Sequence, residues 1–379
     1  MSIYLDHAAA TPLDDQVFAA MQPYYSQQFY NPSAVYLSAK AVGKDIAEAR
    51  HSVAQNLGVR PAEITFTAGG TEANNLAIHG VMSQFPGSHI VVSAVEHDSV
   101  LESAKVYDHT LAPVQADGRI DLDELAQAIT DKTVLVSVMC VNNEIGTVMP
   151  LSRVAKLIQT IREERQKAGN DLPLYFHTDA AQAPLYLDIH VPRLGVDLMT
   201  LNGGKIYGPK QSGVLYADAQ VKIGARIVGG GQEFGRRSGT ENVAGIIGFS
   251  KALQLATAGR QELSKQVGVL QQLFISELEK QLPAAVVNGS VKYRTPNNVH
   301  ITIPGTDNER LMMELDEQAI MCAVGSACSA SSDEPSHVLK AIGLSDEEAQ
   351  ASLRFSMGRA TTEADIKATI AALVDVLAK

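Results

Sequence analysis

Short apolar segments alternate with amphipathic ones along much of this chain, and this alternation limits the folds open to it more than any other feature. The strand-like runs lie at 64–67, 89–95 and 133–141, and helical patterns begin near Thr71, Asp98, Asp121 and Leu151. This order is typical of βαβ units, in which helices cover a parallel sheet. The apolar run at 133–141 fits a strand buried on both faces. The sequence therefore predicts an α/β fold with a mainly parallel sheet flanked by helices.

A second, smaller region follows a long helical segment at 242–281. Its strand-like runs near 299–303, 320–324 and 353–356 alternate with helical patterns at 307–316, 335–342 and 362–377. With 379 residues, the chain exceeds the size at which one hydrophobic core usually stops growing. We therefore predict a large domain at 13–250 and a smaller α/β domain formed by 1–12 and 251–379.

The charge balance argues against several function classes. A formal net charge of -11 attracts neither nucleic acid nor an anionic membrane surface, so neither partner is expected. The chain does not open on a basic segment followed by an apolar one, and no apolar run is long enough to cross a bilayer, so we expect a cytoplasmic protein. The three cysteines, Cys140, Cys322 and Cys328, lack metal-ligand spacing, which indicates a reducing compartment and no metal site.

Two charged residues follow apolar runs in the middle of the chain. Asp179 ends the run 175–179, and Lys205 follows the run 198–201 in a glycine-rich turn. Open α/β sheets place ligand-binding residues at the carboxyl ends of their strands. Pyridoxal phosphate needs an amine to hold its aldehyde and a carboxylate to keep its pyridine nitrogen protonated, so the pair fits a site for this cofactor. Taken singly, Lys205 also fits a solvated loop, and Asp179 a turn or cap.

A glycine-rich turn at 67–75 places Gly70 and Thr71 where a helix begins. Backbone amides and a hydroxyl at the positive end of a helix form a cradle for a phosphate, although Thr71 as a simple N-cap fits the pattern equally well. His97 follows the next strand, where an imidazole either stacks on a cofactor ring and shuttles protons or merely caps the following helix.

Three further segments carry candidate ligand-binding groups. Asn143 follows the most apolar strand, where an amide can fix a ring oxygen or an amino-acid substrate, with a tight turn as the alternative. The glycine-rich loop 229–240 contains two arginines, ends at Thr240 and suits a phosphate. Arg354 lies inside a strand of the second region, where a buried guanidinium requires an anionic partner such as a substrate carboxylate.

Cys328 lies in a run of small residues at 323–336, between a strand and a helix. A loop of small residues can move, and its thiol is exposed as a nucleophile must be. By contrast, Cys140 and Cys322 lie within apolar runs and are expected to be inert core residues. We therefore favour Cys328 as a nucleophile over an incidental loop thiol.

Together these motifs resemble the NifS/IscS-type cysteine desulfurases of the class V aminotransferase group, which have the fold-type I architecture of pyridoxal phosphate enzymes. The resemblance runs nearly end to end, from YLDHAAATP at 4–12 and NPS at 31–33 to RFSMGR at 354–359. It implies that Lys205 holds the cofactor as a Schiff base, that Asp179 pairs with the pyridine nitrogen, and that His97 stacks on the ring. It also implies that Gln182 and Asn143 hydrogen-bond around the ring oxygen and the substrate.

The resemblance further implies that Gly70 and Thr71 hold the phosphate, and that Thr240 reaches it from the partner subunit of a homodimer. The chain departs from the family in one motif. Members usually have Ser-Gly-His before the lysine, with Ser and His both on the phosphate, whereas Asn202 and Gly204 stand here. Asn202 would partly replace the serine, while Gly204 supplies no side chain, so weaker retention of the cofactor is expected.

The implied reaction is the removal of sulfur from L-cysteine. Arg354 would hold the substrate carboxylate, and the Cys328 thiolate would attack the substrate sulfur, which leaves alanine and a persulfide on Cys328. The longer loop around Cys328 suits delivery of that sulfur to an acceptor protein, such as an iron-sulfur scaffold or a tRNA-thiolation protein. Two alternatives are a selenocysteine lyase or other class V aminotransferase, and a non-catalytic homologue that serves as a sulfur-relay partner.

Overall fold

The computed structural model describes residues 2–325 and 335–378, in which strands and helices alternate as predicted. The strands are β1 (Ile3–Tyr4), β2 (Ile64–Thr67), β3 (His89–Ser93), β4 (Asp108–Ala112), β5 (Thr133–Ser137), β6 (Tyr175–Asp179), β7 (Leu198–Asn202), β8 (Gly213–Ala217), β9 (Val286–Val287), β10 (Asn298–Thr302), β11 (Ile320–Met321) and β12 (Ser352–Ser356). The α-helices are α1 (Asp15–Met21), α2 (Pro23–Ser26), α3 (Leu37–Leu57), α4 (Gly70–Met82), α5 (Asp98–Ala104), α6 (Leu122–Ala128), α7 (Leu151–Lys167), α8 (Val191–Leu194), α9 (Val243–Gln281), α10 (Asn308–Glu317), α11 (His337–Ala341), α12 (Asp346–Gln350) and α13 (Glu363–Leu377).

The large sheet has the strand order β2-β8-β7-β6-β5-β3-β4. Strands β4, β3, β5, β6 and β7 are parallel, and β8 is antiparallel to both of its neighbours, β7 and β2. Because β2 and β7 are both antiparallel to β8, β2 runs in the same direction as the parallel strands. The carboxyl ends of β2, β3, β5, β6 and β7 therefore meet at one edge of the sheet, and the prediction of a mainly parallel sheet is confirmed.

The strands at the centre of this sheet are buried on both faces, which explains why they read as continuous apolar runs. On one face Val91 and Val136 belong to the same core cluster as Val154 of α7. On the other face Ile90 packs in a second cluster with Leu76 of α4. Burying each of these side chains contributes about 1.5–3 kcal/mol, so helices on both faces hold the sheet in place.

Two smaller sheets form the second region. Strand β10 pairs antiparallel with β12 and β9, and β1 pairs parallel with β11, where Ile3 is opposite Ile320. Beyond β1, Leu5 accepts a backbone hydrogen bond from Ser356 of β12. Helix α9 packs on this region through Phe274, whose ring lies 5.0 Å from that of Phe355. The amino-terminal segment thus pairs with strands of the second region.

Helix boundaries follow the capping residues. Helices α6 and α9 begin after Asp121 and Asn242, whose side chains accept backbone N–H bonds as N-caps.

Strand β5 is shorter than the predicted 133–141, and β4 was not predicted. Helix α9 continues across the proposed boundary at residue 250, so the division into two domains stays a prediction. None of the helices in the described residues is both long and apolar enough to cross a bilayer.

Candidate active site

A cavity of about 190 Å³ lies where the carboxyl ends of the parallel strands meet. The predicted site residues that line it are Gly70, Thr71, His97, Asn143, Asp179, Gln182, Asn202, Lys205 and Arg354. The first eight of these residues end or follow the five strands β2, β3, β5, β6 and β7. Residues far apart in the sequence therefore converge because parallel strands end at one edge.

Lys205 lies in the short helical turn that follows β7. Its Nζ donates hydrogen bonds to the backbone oxygens of Ala8 and Ala9, at 2.8 and 2.6 Å. The Gln182 amide donates to the same Ala8 oxygen at 2.9 Å. The amino-terminal segment thus holds the amine against the cavity. Sequence reasoning missed this contact, because backbone acceptors carry no side-chain signature.

Asp179 ends β6, and its side chain is buried. One carboxylate oxygen accepts from the backbone N–H of Ala181 at 2.9 Å. The other accepts from the side-chain amide of Asn74 at 2.8 Å. Asn74 lies one helical turn beyond Thr71 and was not predicted as a site residue, although the helical spacing of three residues places both on one face of α4. The carboxylate is therefore fixed from two sides.

His97 both caps a helix and lines the cavity, so the two readings of the sequence are compatible. Its Nδ1 accepts from the backbone N–H of Ser99 at 3.1 Å, at the start of α5. The Ser99 hydroxyl also lies 2.9 Å from Nδ1. Stacking of the ring on a cofactor stays a prediction. Ser99 is a further residue of the site that the sequence did not reveal.

The start of α4 has the features of a phosphate cradle. Its N-cap is Gly69, with φ of 131°, and not Thr71 as the alternative reading held. This φ favours glycine, and within the described residues no side chain caps the helix, so first-turn amides remain for a ligand. Asn202 Oδ1 accepts from Gly204 N–H at 3.0 Å. Its Nδ2 lies 3.4 Å from where a Cβ on Gly70 would stand, so Asn202 borders the same cradle.

Arg354 is almost completely buried in β12, as the sequence predicts. The chain itself supplies its anionic partner, since one Nη donates to Asp6 Oδ1 at 2.7 Å. The other Nη donates to the backbone oxygen of Asn143 at 2.9 Å. Among the described residues, Arg354 Nε has no hydrogen-bond partner. Binding of a substrate carboxylate by Arg354 stays a prediction, and Asp6 would have to share the guanidinium with it.

Among the described residues, one predicted site residue does not line this cavity. Thr240 lines a separate cavity of about 220 Å³ together with Arg237 and Phe249. Its contact with phosphate from a partner subunit stays a prediction. Cys328 lies outside the described residues. On the two sides of that segment, Ala323 pairs its backbone with Arg354, and Ser336 donates to Glu144 Oε2 at 2.6 Å.

The interior next to the site disfavours charge. Burial, and then the charge of Asp179, raises the pKa of Glu96 well above its usual value. Burial likewise raises the pKa of Cys140 and of Cys322 to about 12. Both thiols are buried, as the prediction of inert core cysteines requires. In the described part of the chain, no cluster of three His, Cys, Asp or Glu side chains is arranged to hold a metal ion.

The cavity suits a ligand that combines a phosphate with a polar ring. It brings together an amine at Lys205, a fixed carboxylate at Asp179 and an uncapped helix start. Asn74 Oδ1 is buried without a hydrogen-bond partner among the described residues, as is Arg354 Nε. Buried polar atoms rarely stay unpaired, so these atoms indicate that a polar ligand or water completes the site. The residues present therefore fit pyridoxal phosphate.

Known proteins resemble the chain over its whole length. A family model described as aminotransferase class-V matches residues 3–369. A curated protein named "Cysteine desulfurase IscS", from Dictyoglomus turgidum, is 39% identical over an alignment that spans 100% of this chain and 95% of the relative. Among solved structures, a "NIFS-like protein" superposes with a TM-score of 0.91 at 29% identity and full coverage of both chains. Another, described as "SspA in complex with cysteine", has a TM-score of 0.81 at 33% identity, and the superposition covers 94% of this chain and 99% of the solved one.

Proposed function

This chain belongs to the class V aminotransferase family, within its cysteine desulfurases, and from this premise we propose that it removes the sulfur of L-cysteine and leaves alanine. One observation carries the proposal. Lys205, Asp179 and His97 line a single cavity beside the uncapped start of α4, which provides each group that a pyridoxal phosphate enzyme needs.

The cofactor would be held by groups at both ends of the cavity. Lys205 would bind it covalently, Asp179 would face its pyridine nitrogen, and Gln182 would hydrogen-bond to its ring oxygen. The first-turn amides of α4, with Thr71 and Asn202, would bind the phosphate. When bound, the cofactor serves as an electron sink for bonds at the substrate α-carbon.

The substrate would be oriented by Arg354 and Asn143, which are hydrogen-bonded to each other. Arg354 would bind its carboxylate, because a guanidinium presents paired donors to two carboxylate oxygens. The His97 imidazole would stack against the pyridine ring of the cofactor. The Cys328 thiolate would attack the sulfur of the substrate. An S–S bond then forms, the substrate C–S bond breaks, and alanine is released while the persulfide remains on Cys328.

The proposal extends to the assembly. A homodimer would bring Thr240 of one subunit to the phosphate of the other, consistent with the absence of Thr240 from the described lining of its own cavity. The persulfide would pass to an acceptor protein in the cytoplasm, for iron-sulfur cluster assembly or tRNA thiolation. The reaction is then a sulfurtransferase reaction that depends on pyridoxal phosphate.

The test is to incubate cofactor-loaded protein with L-cysteine and a thiol reductant, and to quantify alanine and sulfide together. We expect equal yields that collapse in Cys328→Ala, while that variant retains the visible absorbance of the cofactor. Lys205→Ala should lose the absorbance of the covalently held cofactor as well as activity. Absence of alanine from a protein that holds its cofactor would refute the substrate, and unchanged turnover in Cys328→Ala would refute the nucleophile.

A further inference from the structure

A chain of hydrogen bonds joins Asp179 to His97 through two side chains that the reaction above does not use. Asn74 Nδ2 lies 2.8 Å from Asp179 Oδ2 and 2.8 Å from Ser99 Oγ. Ser99 Oγ in turn lies 2.9 Å from His97 Nδ1. Asn74 and Ser99 are buried, at 1% and 9% exposure, so water competes little for these bonds.

The chemistry of the end groups fixes the direction of the chain. An ionised carboxylate only accepts hydrogen bonds, so the NH₂ group of Asn74 must face Asp179. The second hydrogen of that NH₂ group is donated to Ser99 Oγ, which leaves the Ser99 hydroxyl hydrogen for His97. The backbone N–H of Ser99 can only donate, and it too faces His97 Nδ1, at 3.1 Å. Both groups of Ser99 therefore donate to the same ring nitrogen.

A ring nitrogen that accepts two hydrogen bonds carries no hydrogen itself. In the neutral imidazole, the hydrogen is then on Nε2, because each tautomer has one donor and one acceptor nitrogen. A hydrogen on Nδ1 would face two donors and break both bonds. The surroundings of His97 thus select one tautomer before any substrate binds.

We propose that Asn74 and Ser99 are positioning residues that hold His97 in its Nε2–H tautomer, so that the neutral ring offers the substrate a hydrogen-bond donor and not a base. This inference rests on the proposed function, since it specifies the part that His97 takes in it. It also ties His97 to Asp179, because one amide group supports both side chains. Loss of that amide loosens the carboxylate and the imidazole together.

Nitrogen NMR on cofactor-loaded protein with isotope-labelled histidine tests the tautomer, with the His97→Gln variant used only to assign the signal. We expect a pyridine-type shift for Nδ1 and a pyrrole-type shift for Nε2. Ser99→Ala keeps the backbone bond but removes one donor to Nδ1. Since one neutral hydrogen bond contributes about 0.5–1.5 kcal/mol, this variant should raise the ratio of the Nδ1–H to the Nε2–H tautomer roughly two- to tenfold.

Three further variants separate positioning from general damage. Ser99→Thr keeps the hydroxyl and should keep the wild-type spectrum. Asn74→Asp places a second carboxylate against Asp179, so the two share one proton and the hold on Asp179 changes as well. Its oxygen accepts the Ser99 hydroxyl hydrogen in place of His97, so the tautomer should shift as it does in Ser99→Ala. Ser103→Ala is the matched control, because its hydroxyl is buried in the same helix and donates to the Ser99 backbone oxygen, outside the chain. It should leave the spectrum unchanged.

Turnover of L-cysteine gives a second readout. Ser99→Ala should lower kcat by less than the two- to tenfold change in the tautomer ratio, since kcat follows the remaining Nε2–H fraction, with little change in KM, while Ser103→Ala should change neither. A hydrogen on Nδ1 in the wild-type spectrum would overturn the proposal, as would identical spectra for wild type and Ser99→Ala. If the loaded protein made no alanine, the proposed function would fall, yet the nitrogen spectrum would still decide the tautomer.

Discussion

Replacement of Gly204 by histidine should tighten the binding of pyridoxal phosphate. The resemblance to cysteine desulfurases puts a phosphate-binding histidine at this position, where the chain has no side chain. A Cβ on Gly204 would have Asn202 Oδ1 at 3.5 Å and Lys210 Cγ at 3.8 Å as its nearest neighbours, which is ordinary van der Waals contact. Gly204 is not among the glycines with positive φ, so a side chain introduces no backbone strain.

The size of the effect follows from one added hydrogen bond. An imidazole N–H that donates to a phosphate forms a bond to a charged group, worth about 1.5–3 kcal/mol. Each 1.4 kcal/mol changes an affinity about tenfold, so the dissociation constant should fall about 10- to 100-fold.

The assay is equilibrium dialysis of cofactor-stripped protein against graded pyridoxal phosphate. Gly204→Ala is the matched control, since it adds the Cβ without a donor and should leave the dissociation constant within about twofold. A Gly204→His variant that folds normally but binds the cofactor no more tightly than wild type would refute the reasoning. An equal gain in Gly204→Ala would refute it too, because packing alone would then explain the change.

Further outcomes concern stability. Asp6→Asn leaves the buried Arg354 guanidinium without its anionic partner and should lower the free energy of unfolding by about 3 kcal/mol, measured by urea denaturation. Burial lowers the pKa of His177 to about 4 and of His300 to about 3, from the usual 6.5. The unfolded chain takes up these two protons first, so stability should fall as pH drops from 6.5 toward 4, by at most about 2.7 kcal/mol per pH unit, and a flat profile would contradict this. Burial raises the pKa of Glu96, so the folded protein favours the protonated carboxyl. The contribution of Glu96 to the free energy of unfolding is therefore fully present below pH 4.5 and is lost as pH rises. Glu96→Gln cannot ionise, so unfolding curves should show a stabilisation that grows with pH above 4.5.

Sequence patterns predicted the helix starts best, because these depend on interactions between residues that are close in the sequence. Helix α7 begins at Leu151 as predicted, and α6 begins after the N-cap Asp121, because periodicity and capping are local properties. Strand β5 ends at Ser137, although the apolar run continues to 141. The run is apolar because the whole segment is buried. Val138 and Cys140 still donate to backbone oxygens of β6, at 3.1 and 2.8 Å, so the segment stays beside β6 although the strand itself is shorter than the run.

For the candidate site, the sequence predicted some of the residues that line the cavity and missed others. Lys205, Asp179 and His97 carry side chains whose chemistry points to a cofactor, and strand ends are where such residues gather in open α/β sheets. Asn74 and Ser99 are common helix residues with ordinary roles, so only the distances to Asp179 and His97 reveal their part.

The sequence by itself determined the α/β class, the mainly parallel sheet and the reactive groups, because hydrophobic period, turn residues and side-chain chemistry are written in the order of residues. Only the tertiary structure decided which partners those groups have: Asp6 for Arg354, the Ala8 oxygen for Lys205, and Asn74 between Asp179 and His97. These contacts join segments that lie as far as 348 residues apart. Hydrogen bonds form over about 3 Å, so they are set by how strands and helices pack and not by any local pattern.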